Sequence, residues 1–270
     1  MRKTIKLAIA ATMALSAFSV SAQAHRFWVV PSSTVLSGPT PWVTFDAAIS
    51  NDLFRFEHFP LKVDNVAITG PDGEAIKPEN VSQSRLRSSF DLKLEKPGTY
   101  RAMVPLNAVV ARYTLNGEKK RWRGTAEELE KAIPADAKDI AVTEIYGRVE
   151  TFVTSGKPSE TALKPTGQNL ELAPVTHPNH LVQGEEAKFR LLIDGEPAPS
   201  VDVLVVRGDA RYRIKADEQK LTTNAAGEIS VKWTEPGMYW LNASFKDKKA
   251  KIKDASRHSI YSATLEVLPK

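Results

Sequence analysis

The chain has 270 residues, no cysteine and a formal net charge of +5. Without cysteine there can be no disulfide, no thiolate metal site and no lipid anchor of the lipobox kind. The charge excess is too small to mark a nucleic-acid binder, and no segment approaches the roughly 20 consecutive apolar residues of a membrane-spanning helix.

The first residues read as a secretory leader. Arg2, Lys3 and Lys6 form a basic start, Leu7 to Val20 an apolar run, and Ala22-Gln23-Ala24 a small-residue cleavage site. Residues 1–24 are therefore expected to be removed as a signal peptide of bacterial type, leaving a soluble periplasmic chain with no membrane insertion. Losing Arg2, Lys3 and Lys6 lowers the net charge from +5 to +2, weak attraction for any acidic partner. Cleavage after Ala24 leaves His25 as the first residue. Its α-amine and its own imidazole Nδ1 can close a chelate on one metal ion, and a second imidazole completes a histidine brace. Such ligands suit copper, nickel, zinc and iron alike. Cleavage after Ala22 would put Gln23 first and abolish the arrangement.

Strand signals dominate the rest. Phe27–Val30, Trp42–Phe45, Val66–Ile68, Phe90–Leu94 and Tyr100–Val104 are short, β-branched or aromatic, and mostly bounded by turn-forming residues. Pro71-Asp72-Gly73 and Asn116-Gly117 predict turns. After Asn116-Gly117, the run Lys119-Lys120-Arg121-Trp122-Arg123 reads as a charged hairpin surface rather than a nucleic-acid patch. Thr125-Ala126-Glu127-Glu128 has capping-box spacing and opens a short helix to Ile133, which Pro134 ends.

The polar stretch from Ser155 to Gly167 is the linker candidate. Beyond it the strand pattern restarts at Leu170–Leu172, Ala187–Ile193, Val201–Val206, Ile229–Trp233 and Tyr239–Ala243. The chain is accordingly expected to be all-β, with two antiparallel immunoglobulin-like sandwiches. Residues 25–165 form the first, carrying the helix as an insertion, and residues 166–270 the second. A faint repeat supports two related halves. Pro97-Gly98-Thr99-Tyr100 returns as Pro236-Gly237-Met238-Tyr239, a tight turn followed by a tyrosine whose ring can pack and whose hydroxyl can find a partner.

Five histidines could carry chemistry, and all lie beyond the leader. His58 follows Phe54 and Phe56 at alternate positions, so an extended segment puts the three on one face. It is then either a core histidine beside aromatics or a ligand in an aromatic-walled site. His177-Pro178-Asn179-His180 is a turn bearing two imidazoles. His177 is the better ligand candidate because Pro178 restrains its backbone. His258 reads as a solvated loop residue. No nucleophile elbow, phosphate-cradling loop, dinucleotide fingerprint or His-Glu-x-x-His motif is present, so no enzyme class is indicated. Arg207-Gly208-Asp209 is too short to mean adhesion.

His25-Arg26-Phe27-Trp28 with Pro31-Ser32 resembles the opening of a bacterial periplasmic family, domain-of-unknown-function family 4198, once labelled a NikM-like nickel-uptake component. Gly167 to Pro178, Gly195-Glu196-Pro197, Thr223 to Gly227, Pro236 to Tyr239 and Tyr261 to Leu265 resemble its second half, so the likeness spans the whole chain after the leader. It implies two β-sandwich modules, periplasmic residence and a role in transition-metal uptake or handling, with copper, nickel or cobalt as the ion. The metal residues it implies are His25, His58 and His177; a membrane metal transporter is the candidate partner. Two other readings stay open. One is an immunoglobulin-like binding or structural module without metal. The other is a copper-dependent oxidase resembling polysaccharide monooxygenases, which also use an N-terminal histidine, although no flat aromatic carbohydrate surface is recognisable here.

Overall fold

A computed structural model describes residues 25–213 and 217–270. The leader assigned to residues 1–24 lies outside the described residues. The first half runs β1 (Arg26–Pro31), β2 (Val35–Leu36), β3 (Trp42–Ser50), β4 (Phe59–Pro60), β5 (Ala67–Thr69), β6 (Ala75–Ile76), β7 (Glu79–Gln83), β8 (Ser88–Lys93), β9 (Gly98–Leu115), β10 (Glu118–Gly124), α1 (Ala126–Ala132) and β11 (Lys138–Ser155). The second half runs β12 (Leu170–Pro174), β13 (Glu186–Ile193), β14 (Glu196–Pro197), β15 (Asp202–Arg207), β16 (Glu218–Thr222), β17 (Glu228–Lys232), β18 (Gly237–Asp247) and β19 (Ser256–Val267). Among the described residues the chain is all-β with one short α-helix, and its sheets are built mainly from antiparallel strand pairs.

Among the described residues the strands form three sheets. β1, β3, β4, β7 and β8 form a five-stranded sheet, and β12, β13, β14 and β17 a four-stranded one. The other strands make a ten-stranded central sheet shared by both halves. Strand β11 joins the halves. It pairs antiparallel with β9 along its length, and parallel with β19 from Thr143↔Ser256 to Thr151↔Thr264. Side chains alternate along a strand, so one strand can serve two cores. β11 turns Val149 and Val153 into the first core with Val29, Phe45, Phe90 and Tyr100, and Phe152 into the second with Phe189, Trp233, Leu241 and Tyr261. The outer sheets thus cover opposite faces of the central one.

The segment after β11 is anchored, with Ala162 and Leu163 buried. A buried ionic group ties the start of β12 to β11. Arg148 pairs with Glu150 at 2.7 Å and with Glu171 at 3.3 Å. Tyr261 donates to Glu150 at 2.8 Å, and Glu171 accepts the backbone amides of Thr166 and Gly167 at 2.8 and 2.6 Å. Buried charges persist only when paired and hydrogen-bonded in this way.

Several local expectations meet the structure directly. Thr125 and Glu128 close the capping box, and the helix ends before Pro134. Asn116 and Gly117 both take positive φ, 51° and 78°, as a two-residue hairpin turn requires, and the Lys119–Arg123 run is the exposed strand β10. Two expectations are corrected. Phe54 to His58 is not extended: the segment is a turn and loop in which Phe54 has φ +62°. His258 is not in a loop but within β19, half-buried, with Nε2 shut off from solvent.

Candidate metal centre

The register of the first outer sheet sets the site. β1 runs antiparallel to β3 with Arg26 opposite Ser50, so His25 stands opposite Asn51 just past the end of β3. On the other side of β3, β4 places Phe59 opposite Ile49, which brings the preceding His58 to the same end. The His25 and His58 rings lie 4.8 Å apart between centroids, with planes at 62°. Phe59 stands 6.4 Å from each and walls one side. His25 is exposed, with Nδ1 3.1 Å from Asn51 Oδ1. His58 is half-buried, and its Nε2 has no hydrogen-bond partner although it is closed to solvent.

The loop carrying His58 is held from below. Phe54 packs edge-on against Trp28 at 5.5 Å between centroids, and Phe56 lies 5.7 Å from the same ring. A bulky residue at positive φ costs of order 1–3 kcal/mol, so packing must hold Phe54 there. Gly208 makes room for it: a Cβ at this position would fall 2.6 Å from Phe54 Cδ2. Trp28 is fully buried with Ala48, Leu53, Val206 and Trp240, a small core between the first outer sheet and the second half. Trp28 Nε1 donates to Ser50 Oγ at 2.8 Å, and Trp240 Nε1 donates to the Phe27 carbonyl at 3.0 Å.

Ion pairs clasp the same loop to residues 209–213. Arg211 reaches Glu57 at 3.0 Å and Asp52 at 3.5 Å, and Arg55 reaches Asp209 at 3.3 Å. Each such pair is exposed and weak alone. The Arg207-Gly208-Asp209 triplet is therefore part of the support beneath the His58 loop. The sequence signalled neither this support nor Asn51, because both depend on which strands become neighbours.

His177 stands elsewhere. Its Nε2 lies 3.0 Å from Thr99 Oγ1, and its Nδ1 accepts the Asn179 backbone amide at 3.1 Å. Thr154 donates to the Asn179 side chain, and its amide to the Thr34 carbonyl, so this cluster sits beyond the far end of β1 from His25. Six strand residues at about 3.3 Å each separate the two ends, too far for one ion. Both ring nitrogens of His177 have protein partners, and burial followed by the charge of His180 lowers its pKa. It stands at the junction of the halves, apart from the His25–His58 pair. His180 packs on it with centroids 5.0 Å apart.

Among the described residues no three His, Cys, Asp or Glu side chains converge. The His25–His58 pair brings two imidazoles to one end of the sheet, with ring centroids 4.8 Å apart.

A family model described as "Domain of unknown function (DUF4198)" matches residues 22–247, spanning both halves and the His25–His58 site. No curated protein matches at a significant level. Among solved structures the chain is similar to the D0-D1 domain of intimin at 12% identity and a TM-score of 0.23, covering 89% of this chain and 97% of that one. It is also similar to an ICAM-5 D1-D4 ectodomain fragment at 10% identity and TM-score 0.23, covering 90% of this chain and 51% of that one. A marsupial T cell receptor matches at 11% identity and TM-score 0.22, covering 91% and 74%. Likenesses this distant carry no information on function.

Proposed function

The chain belongs to the DUF4198 family, and we propose that it is a periplasmic transition-metal-binding protein that holds copper, nickel or cobalt through His25 and His58 for metal uptake or handling. One observation carries the reading: two imidazoles share one end of a rigid sheet, 4.8 Å apart, and the buried Nε2 of one has no protein partner. A buried polar nitrogen without a partner costs about 1–3 kcal/mol, a cost that a ligand at that atom would offset. In His177, by contrast, both nitrogens are satisfied.

The donor set fits a borderline metal. Neutral imidazole and amine nitrogens suit copper, nickel and cobalt, while hard cations such as magnesium and calcium prefer oxygen. On this reading the leader is removed after Ala24, the amine and Nδ1 of His25 and a ring nitrogen of His58 hold the ion, and Asn51 repositions as Nδ1 changes partner. Phe59 limits water at the site without closing it, since it is itself exposed. An open, edge-placed site suits an ion that must be passed on, and a membrane metal transporter is the proposed recipient.

The test is a titration of the chain beginning at His25 with Cu(II), Ni(II) and Co(II), beside its His58→Ala variant. One equivalent of at least one ion is expected, with affinity reduced at least about tenfold in the variant, the scale of one lost metal ligand interaction. Absence of binding for all three ions would overturn the proposal.

A further inference from the structure

A second feature lies at the Thr143 end of the central sheet. Pair registers place Arg112 opposite Arg121, Val110 opposite Thr143, Thr143 opposite Ser256, Ile145 opposite His258, and His258 opposite Lys246. These partners fall on one face, so side chains from five strands line one cleft of about 310 Å³. Like charges directly opposite each other in a sheet are destabilising. Here two arginines face each other across β9–β10, and no carboxylate among the described residues forms an ion pair with Arg112, Arg121 or Lys246.

Three of the nearby acids are otherwise engaged. Asp194 and Asp247 bind Arg257 at 2.8 and 2.5 Å. Glu144 accepts the amides of Lys251 and Ile252 at 2.8 Å and the Tyr146 hydroxyl at 2.9 Å. Asp139 lies in an adjoining cleft lined also by Arg112, Lys119, Lys120 and Arg121, and forms no ion pair with any of the four. Two hydroxyls stand between the cations, Thr143 Oγ1 and Ser256 Oγ, 2.9 Å apart. His258 adds a ring whose Nε2 is closed to solvent without a partner. Three cations without an ion-pair partner among the described residues, two hydroxyls and an imidazole nitrogen without a partner share one concave space whose lining has no carboxylate.

We propose that this cleft binds a phosphate group, with Arg112, Arg121 and Lys246 supplying charge and Thr143, Ser256 and His258 supplying orientation. A tetrahedral oxyanion carries several acceptors at once, and guanidinium forks match its oxygens in pairs. It would also relieve the Arg112–Arg121 repulsion. The phosphate can arrive free or on a lipid headgroup, and the two sources separate by experiment.

The experiment uses the chain from His25 onward and its Arg112→Ala/Arg121→Ala double variant, both side chains being exposed and their loss tolerable to the fold. Inorganic phosphate is titrated by calorimetry, and co-sedimentation is measured with vesicles of phosphatidylcholine alone or mixed with phosphatidylglycerol. Binding to phosphate, to the anionic vesicles or to both is expected, weakened by salt and reduced at least about tenfold in the variant, as for loss of charge-assisted hydrogen bonds. Phosphate alone binding assigns a free anion; vesicles alone binding assigns a headgroup. No binding in either arm, or equal binding by the variant with its circular dichroism unchanged, overturns the proposal. Thermal unfolding of both proteins distinguishes a lost site from a lost fold.

Discussion

Tyr100 and Tyr239 hold equivalent positions in the two halves: each hydroxyl donates to the carbonyl oxygen four residues upstream, Lys96 and Glu235, at 2.8 Å in both cases. Each follows a Pro-Gly turn whose glycine has strongly positive φ, 135° at Gly98 and 129° at Gly237. Each ring is buried in its own half's core. The hydrogen bond fixes the corner at which a turn enters a long central-sheet strand, β9 in one half and β18 in the other. The short sequence repeat therefore marks a repeated device.

Tyr100→Phe and Tyr239→Phe should each lower unfolding free energy by about 1 kcal/mol, the usual net value of one hydrogen bond. The sites belong to separate cores, so the double variant should lose the sum. Urea unfolding measures this. A loss confined to one tyrosine would mean that only one corner matters to stability.

Gly208→Ala should disturb the His58 loop. The added methyl would collide with Phe54, whose ring is wedged against Trp28, so the loop must shift or the small core must open. Overpacking of this kind costs about 1–3 kcal/mol. Reduced thermal stability together with weaker metal binding is expected, although residue 208 touches no proposed ligand. Unchanged metal affinity in a destabilised variant would show that Phe54 does not position His58.

Much of this was readable from the sequence, for reasons that are local. The β-branched and aromatic run Phe27–Val30, the alternation in Phe90–Leu94, the Thr125–Glu128 cap and the Asn116-Gly117 turn each depend on a few neighbouring residues. The parallel pairing of β11 with β19 depends on chain segments more than a hundred residues apart, and nothing near Thr143 or Ser256 announces it. Alternation in Phe54-Arg55-Phe56-Glu57-His58 suggested an extended segment, yet Gly208 and Trp28 draw Phe54 into a left-handed turn. Both phenylalanines still reach Trp28, and His58 arrives beside His25 by the register of β4 rather than by that alternation. The turn at His177 gave no sign of the contacts its ring makes with Thr99 and the Asn179 amide, which come from distant segments and from the turn's own fold.

Stability should fall in mild acid. Burial, then the charge of His180, lowers the pKa of His177; burial, then Lys246, lowers that of His258. Both folded-state values lie below the ordinary histidine value of 6.5. Below that pH the unfolded chain takes up protons that the folded chain resists, so stability is full above about 6.5 and declines as pH drops toward the folded values. With a chelator present, the melting temperature should decrease from pH 7.5 to 5, and a His177→Gln/His258→Gln variant should show a shallower decrease. Equal slopes would assign the acid sensitivity to other groups.

The central claim is that the α-amine of His25 is a metal ligand, and one comparison tests it. An extra residue before His25 converts the amine to an amide and leaves every side chain in place. Calorimetry with Cu(II) or Ni(II) should therefore compare the chain beginning at His25 with the same chain carrying one Met ahead of it. Amines and imidazoles coordinate only when deprotonated, so the His25-initiated chain should bind with proton release and lose affinity as pH falls from neutral toward about 5. The Met-capped chain should melt at the same temperature in the absence of metal and bind at least about tenfold more weakly. Equal affinity of the two chains would contradict the account.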